Sequence, residues 1–193
     1  MIGGVQVVEC AKINGGTRPI LEKVPDTAGV YAWFKSFSPP DPHTATPDEF
    51  FQYLIKETSL PHFIPRSAPI RPVYRVKLSS HRQYSEAKSA LLRSLCNEAG
   101  FRKFIADLLR ERGLIFQQPL YIGKADPLRG RVEAHLTGRT PLLRRLDTVG
   151  INLLCCTLVY VEVPTFVTDL DTSLQIEELL SKLFCPPFTV RYG

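Results

Sequence analysis

Tyr121-Ile122-Gly123-Lys124-Ala125-Asp126-Pro127-Leu128-Arg129-Gly130-Arg131-Val132 changes character half-way along. Leu120 to Gly123 reads as a short strand entering a turn, because aromatic and β-branched side chains suit a pleated surface. Asp126 then suits a helix N-cap and Pro127 the first helical position, where a missing N–H is harmless. The helix is expected to run to about Leu136. Arg131 and His135 stand four residues apart on it, so they share one face, next to the side carrying Val132 and Leu136.

Downstream, a short helical piece is expected from Pro141 to Leu146, and a buried central strand in the apolar run from Ile151 to Val163. A last helix is expected from about Ser173 to Phe184, stopped by Pro186-Pro187. Upstream, residues 1–24 suggest one or two short strands around Asn14-Gly15-Gly16. Val30 to Phe34 reads as a strand behind the turn residues Pro25 to Gly29. Thr46 can cap a helix that begins at Pro47. The prolines between Pro61 and Pro72 make that stretch extended, and Val73 to Ser79 alternates as a strand with Arg75 and Lys77 on its outer face. Two helices follow, from about Ser85 to Glu98 and from about Phe101 to Arg112. The first turns Ala87, Leu91, Leu92 and Leu95 inward and stops near Gly100.

The chain has 193 residues, 44% hydrophobic and 22% charged, which fits an ordinary globular domain and excludes a disordered tail, a collagen-like repeat or a coiled coil. No apolar run reaches the roughly 20 residues of a membrane span. The first residues lack a basic region followed by a long apolar stretch, so no signal peptide is expected. Five cysteines without a C-x-x-C pair point to free thiols in a cytoplasmic setting, and Cys155-Cys156 read as small core residues. The net charge of +5 is uneven. Residues 101–150 carry ten Lys/Arg against five Asp/Glu, whereas residues 151–193 carry two against five. A basic middle suits a polyanion, but charge alone leaves a solvated surface equally open.

Gly29-Val30-Tyr31 and Tyr121-Ile122-Gly123, on two strands and followed by a basic helix, resemble the two half-motifs of the GIY-YIG nuclease family. The resemblance covers roughly residues 30–36 and 118–193, with the element order β-β-α-(α)-β-α. It implies an α/β (α+β) fold in one domain: a small mixed or antiparallel three-stranded sheet flanked by helices. Tyr31 and Tyr121 lie 90 positions apart, so residues 36–117 form a largely helical insertion between the paired strands. Restriction members of the family tolerate such insertions better than repair members do. The motif arginine, ten residues beyond Tyr121, is Arg131. The family's glutamate precedes a proline by nine residues and usually an asparagine by twelve; from Glu177 these positions hold Pro186 and Thr189, so the asparagine is replaced.

Helix geometry bears on the glutamate independently. Ile176, Leu179, Leu180, Leu183 and Phe184 form an apolar stripe; Glu178 lies opposite and can pair with Lys182, while Glu177 falls at the stripe's edge. By spacing alone Glu177 remains an ordinary edge carboxylate; the resemblance makes it the metal ligand. An arginine fork suits a phosphate, since it can donate two parallel hydrogen bonds. His135 is either a surface histidine or, as in several restriction members, part of the site. A free tyrosine is a poor base at neutral pH, and a nearby Lys124, Arg131 or metal ion is expected to favour the phenolate of Tyr31 or Tyr121.

The resemblance thus implies an endonuclease that hydrolyses DNA phosphodiesters with one Mg²⁺, or Mn²⁺ in its place, held by Glu177. Tyr31 helps deprotonate the attacking water, with His135 or Lys124 assisting; Tyr121 positions water or phosphate; Arg131 neutralises developing charge. Lys124, Arg129, Arg75 and Lys77 are the candidate substrate contacts, the last two within the insertion as its recognition surface. Close approach of a nucleic-acid backbone is a candidate reason for Gly130. RNA stays open as substrate, and a double-strand break needs a homodimer or two successive nicks. Restriction, defence and structure-selective roles fit the same chemistry. Two rivals stay open: a nucleic-acid-binding module without catalysis, favoured by Thr189, and an interaction or inhibitory protein whose inserted helices bind another chain.

Overall fold

The structure is a computed structural model that describes residues 4–13, 15–59, 67–69, 75–77, 84–163, 170–184 and 186–188; of residues 59, 67–69, 75–77 and 170–175 only the backbone is described. The fold is mixed α/β, in agreement with the expected class. The chain divides into two compact units, Met1–Ser36 with Leu114–Gly193 in one and Phe37–Gly113 in the other.

The first unit is built on strands β1 (Gln6–Glu9), β2 (Gly29–Lys35), β5 (Tyr121–Ala125) and β6 (Cys156–Glu162), in the order β1-β6-β2-β5 and antiparallel throughout. The expected three strands are therefore four. The extra one, β1, lies outside β6 with Val8 opposite Leu158. After β1 the chain turns through a 3₁₀ segment at Cys10–Lys12 into a short helix, α1 (Thr17–Leu21), where a second strand was open. The apolar run from Ile151 also divides. Asn152 Oδ1 accepts the Leu154 N–H at 2.9 Å, capping a 3₁₀ turn at Leu153–Cys155 that delays the strand to Cys156. Cys155 is consequently exposed and Cys156 buried, rather than both lying in the core.

Side-chain alternation gives the sheet two apolar faces. On one face Tyr31, Trp33, Leu158 and Tyr160 pack with Leu128, Val132 and Leu136 of α5 (Leu128–Leu136) and with Leu142 and Leu146 of α6 (Pro141–Asp147). Each buried side chain of that size contributes roughly 1.5–3 kcal/mol. On the other face Val30, Ala32, Ile122 and Val159, together with Ile176 and Leu180 of α7 (Leu170–Phe184), line an apolar cavity of about 720 Å³. The α7 stripe is narrower than the sequence pattern: Leu179 and Leu183 are exposed, and the half-buried positions include Ile176, Glu177 and Leu180.

The strand-to-helix turn at 121–132 differs in its cap. Pro127, not Asp126, is the N-cap, and no side chain caps α5. Carbonyls of the preceding turn take that role: Leu128 N–H donates to Thr27 O at 2.8 Å and Arg129 N–H to Pro25 O at 3.2 Å. Two of the helix's free amides are thereby satisfied by the chain that leads into β2. Gly29 is required at this junction, because a Cβ there would strike Leu128 Cδ1 and lie 2.7 Å from Val161 O.

The second unit contains α2 (Pro47–Ser59), α3 (Glu86–Asn97), α4 (Ala99–Arg112) and a ribbon of β3 (Ser67–Pro69) paired with β4 (Arg75–Lys77). Thr46 and Glu49 form a reciprocal capping box on α2, with Thr46 N–H to Glu49 Oε2 at 2.8 Å and Glu49 N–H to Thr46 Oγ1 at 3.2 Å. Phe50, Phe51, Cys96 and Ala106 form its small core. The inward face of α3 is shifted from the expected one: Leu91 and Leu95 are exposed, while Leu92 packs on the core beside Cys96. The break before α4 falls at the extended residue Glu98, so Gly100 lies inside α4 rather than ending α3. Asn14, Pro61, His62, Arg66, Arg71, His81, Arg82, Cys185 and Thr189 lie outside the described residues.

Candidate active site

Register brings the two half-motifs together. Tyr31 on β2 stands directly opposite Gly123 on β5, and Trp33 opposite Tyr121, so both tyrosines project from the same face at neighbouring positions. The Tyr31 and Tyr121 ring centroids are 6.0 Å apart. Gly123 makes this possible. A Cβ at that position would lie 2.7 Å from the Tyr31 hydroxyl oxygen and 2.7 Å from Tyr121 Cε1. Both aromatic rings therefore use the space that a side chain would fill. Gly123→Ala is expected to destabilise the protein by about 1–3 kcal/mol, the range for forcing extra volume into a packed site. A denaturant midpoint unchanged from wild type would show that the rings are not held over Gly123.

Helix α5 supplies the next two groups, Arg131 from its first turn and His135 from its last. His135 is buried, and its imidazole packs edge-on against Tyr121 with centroids 5.3 Å apart. Its Nε2 lies 2.6 Å from the Tyr31 hydroxyl and its Nδ1 2.6 Å from Thr140 Oγ1. Burial pushes the histidine pKa down to about 4, and the nearby charge of Arg131 pushes the same way. The imidazole is therefore neutral at physiological pH. Burial also pushes the Tyr31 phenol well above its usual pKa, with the neighbouring Tyr121 adding to the rise; Arg131 opposes it but does not prevail. Arg131 does favour the Tyr31 phenolate, as expected, but the expected net lowering is corrected, because desolvation of the phenol outweighs the guanidinium.

Arg131 is exposed, one turn before His135, and its guanidinium engages both Tyr31 and Tyr121. Burial works against its charge, but the two tyrosines outweigh this and hold its pKa up. Glu177 comes from α7. It is half-buried, and burial lifts its carboxyl above the usual range while Lys124 and Arg131 pull it down. Its neighbour Glu178 is exposed and paired with Lys182 at 2.5 Å. The end of α7 is fastened beside β5: Gln118 Nε2 donates to Phe184 O at 2.7 Å, and Phe188 N–H donates to Leu120 O at 3.0 Å.

Tyr31, Tyr121, Arg131, His135, Lys124 and Glu177 thus gather around the β5 edge of the sheet. Arg129 does not join them; its Nε donates to Val24 O at 2.9 Å and helps hold the turn before β2. Arg75 and Lys77 belong to the ribbon of the other unit, with only their backbone described. Gly130 has no packing role, since a Cβ there would make an ordinary 3.6 Å contact with Pro127. Thr140 and Gly123 are the residues that sequence reasoning missed. Thr140 precedes Pro141, a context that reads as a helix cap and hides its bond to His135.

No family model, curated protein or solved structure matches the chain. Among the described residues no group of three or more His, Cys, Asp or Glu gathers, and no helix is long and apolar enough to cross a membrane. One carboxylate beside two cations is too sparse for a cage of His or Cys ligands, and only a hard, oxygen-seeking ion such as Mg²⁺, or Mn²⁺ in its place, could use it. Mg²⁺ keeps several waters and takes one or two carboxylates plus substrate phosphate oxygens. Glu177, beside Arg131 and Lys124, offers one such carboxylate.

Proposed function

We propose that this chain is a metal-dependent phosphodiesterase, an endonuclease acting on DNA. The observation that carries this reading is the 2.6 Å contact between the Tyr31 hydroxyl and His135 Nε2 behind Arg131, beside the half-buried Glu177. The resemblance to GIY-YIG nucleases points to the same residues. Arg131, exposed at the front of the cluster, binds a non-bridging phosphate oxygen and neutralises charge as it develops there. Tyr121 orients the phosphate or the attacking water. As the water attacks phosphorus, its proton passes to the Tyr31 oxygen while the Tyr31 proton passes to His135 Nε2. A phenol too buried to ionise can carry a proton in this way because it never bears the full charge. Negative charge gathering on the phosphate favours the imidazolium that results. Glu177 would hold Mg²⁺, which would supply Lewis-acid polarisation of the phosphate and stabilisation of the leaving oxygen. By analogy with the family, the products carry 5′-phosphate and 3′-hydroxyl ends.

The basic middle of the chain supports a nucleic-acid partner, since Lys and Arg release counterions from phosphates. DNA is the proposed substrate in a cytoplasmic setting, with RNA as the alternative. Restriction or defence, with a homodimer for double-strand cleavage, is the proposed role. The test is purified protein on supercoiled plasmid with Mg²⁺, with Mn²⁺ and with EDTA, beside Arg131→Ala and Glu177→Gln. Nicking that needs the metal and falls about 100- to 1,000-fold in each variant is expected, the range for losing a donor or charge aimed at the transition state. Undiminished cleavage by both variants would sink the reading. A binding module without catalysis is the second reading, and the suppressed ionisation of Tyr31 favours it. It predicts a salt-sensitive mobility shift with no cleavage.

A further inference from the structure

Thr140 stands at the N-cap of α6 but does not cap it: its hydroxyl bonds no amide of that helix. The side chain is buried and turned the other way, with Oγ1 2.6 Å from His135 Nδ1. Pro141 follows and has no N–H to satisfy. We infer that Thr140 is a positioning residue that accepts the Nδ1–H of His135 and so fixes the tautomer whose Nε2 receives the Tyr31 proton. This rests on the nuclease reading above for its consequence in cleavage, though not for its geometry.

The direction of the bonds follows from the donors present. Arginine has donors only, so the Tyr31 oxygen accepts from Arg131; its own proton has two partners in reach, His135 Nε2 at 2.6 Å and the Tyr121 hydroxyl, and the imidazole nitrogen is the stronger acceptor of the two. A neutral imidazole carries one proton. With Nε2 accepting, that proton sits on Nδ1 and needs a buried acceptor, which Thr140 Oγ1 supplies. A histidine held in the other tautomer would donate to Tyr31 and could not take its proton. Neighbouring groups that orient an imidazole commonly decide its chemistry in this way.

The first test is ¹⁵N-resolved NMR of the His135 ring in the full-length protein at neutral pH. The Nδ1-protonated tautomer is expected in wild type and in Thr140→Ser; an Nε2-protonated ring in wild type overturns the inference. Thr140→Val keeps the shape and loses the hydroxyl. It should slow plasmid nicking about 10- to 100-fold, with DNA affinity in a mobility-shift assay unchanged and cleavage restored in Thr140→Ser. Equal nicking rates for wild type and Thr140→Val would also overturn it. If wild type does not cleave at all, the nuclease reading falls, and the ring spectrum alone decides whether Thr140 sets the tautomer.

Discussion

Tyr31→Phe is expected to lower plasmid cleavage roughly 100- to 10,000-fold, the range for removing a positioned proton-transfer group. The substitution takes away one oxygen and leaves the ring over Gly123 in place. It also strands His135 Nε2, which is buried and bonded to that oxygen at 2.6 Å. An orphaned buried acceptor costs about 1–3 kcal/mol, so a lower denaturant midpoint should accompany the loss of activity. Tyr121→Phe should cost less on both counts, since Tyr121 stays half-buried and its ring contact with His135 survives the change. The separation between the two variants is the diagnostic quantity. Cleavage by Tyr31→Phe at the wild-type rate would remove Tyr31 from the reaction. It would leave Arg131 as a phosphate contact and Glu177 as a metal ligand without a proton path.

The parts of this arrangement that were legible in the sequence are the local ones. The strand entering at Tyr121, the basic helix behind it, Pro47 behind Thr46 and the long last helix all follow from side-chain pattern and caps within a dozen residues. Long-range geometry was not legible. The resemblance implied that these two strands pair, but not the register that sets Gly123 opposite Tyr31 across 92 positions; that comes from which faces of β2 and β5 find a core. β1 was open as a strand, but its place outside β6 depends on a pairing that its four residues do not announce. The α7 stripe was read too wide because an apolar side chain on a helix can stay exposed, as Leu179 and Leu183 do.

Chemistry at the site was legible by residue type and not by environment. Arginine at 129 and 131 looks alike in sequence, yet one guanidinium bonds Val24 O and the other faces two tyrosines. The cation near Tyr31 was expected to favour its ionisation, and the opposing effect of burial was invisible until the sheet was closed over the ring. For His135 burial turned an open surface residue into the neutral centre of a hydrogen-bonded chain, Tyr31–His135–Thr140. Thr140 drew no reading from the sequence, because a threonine before a proline at a helix start is common as an ordinary cap.

The same burial makes stability depend on pH in a definite direction. His135 has a pKa of about 4 in the folded protein against 6.5 for an ordinary histidine. Between those values the unfolded chain binds a proton that the folded chain refuses, so stability is full above about pH 6.5 and falls as the pH drops toward 4. A shift of that size corresponds to about 3 kcal/mol across the window. Glu177 acts with the opposite sign near the bottom of the window, because its raised pKa makes the folded protein the better proton binder there. His135→Phe separates the two, since it keeps an aromatic ring and removes the titration. Urea unfolding at pH 7 and pH 4.5 should show a loss of stability in wild type that exceeds the loss in the variant by a few kcal/mol. Equal losses would mean that the imidazole titrates as if in water. Cleavage should follow the same logic. An imidazole that stays neutral well below pH 6 keeps Nε2 ready to accept from Tyr31, so plasmid nicking should persist at pH 5.5, where an ordinary histidine base would be mostly charged and silent.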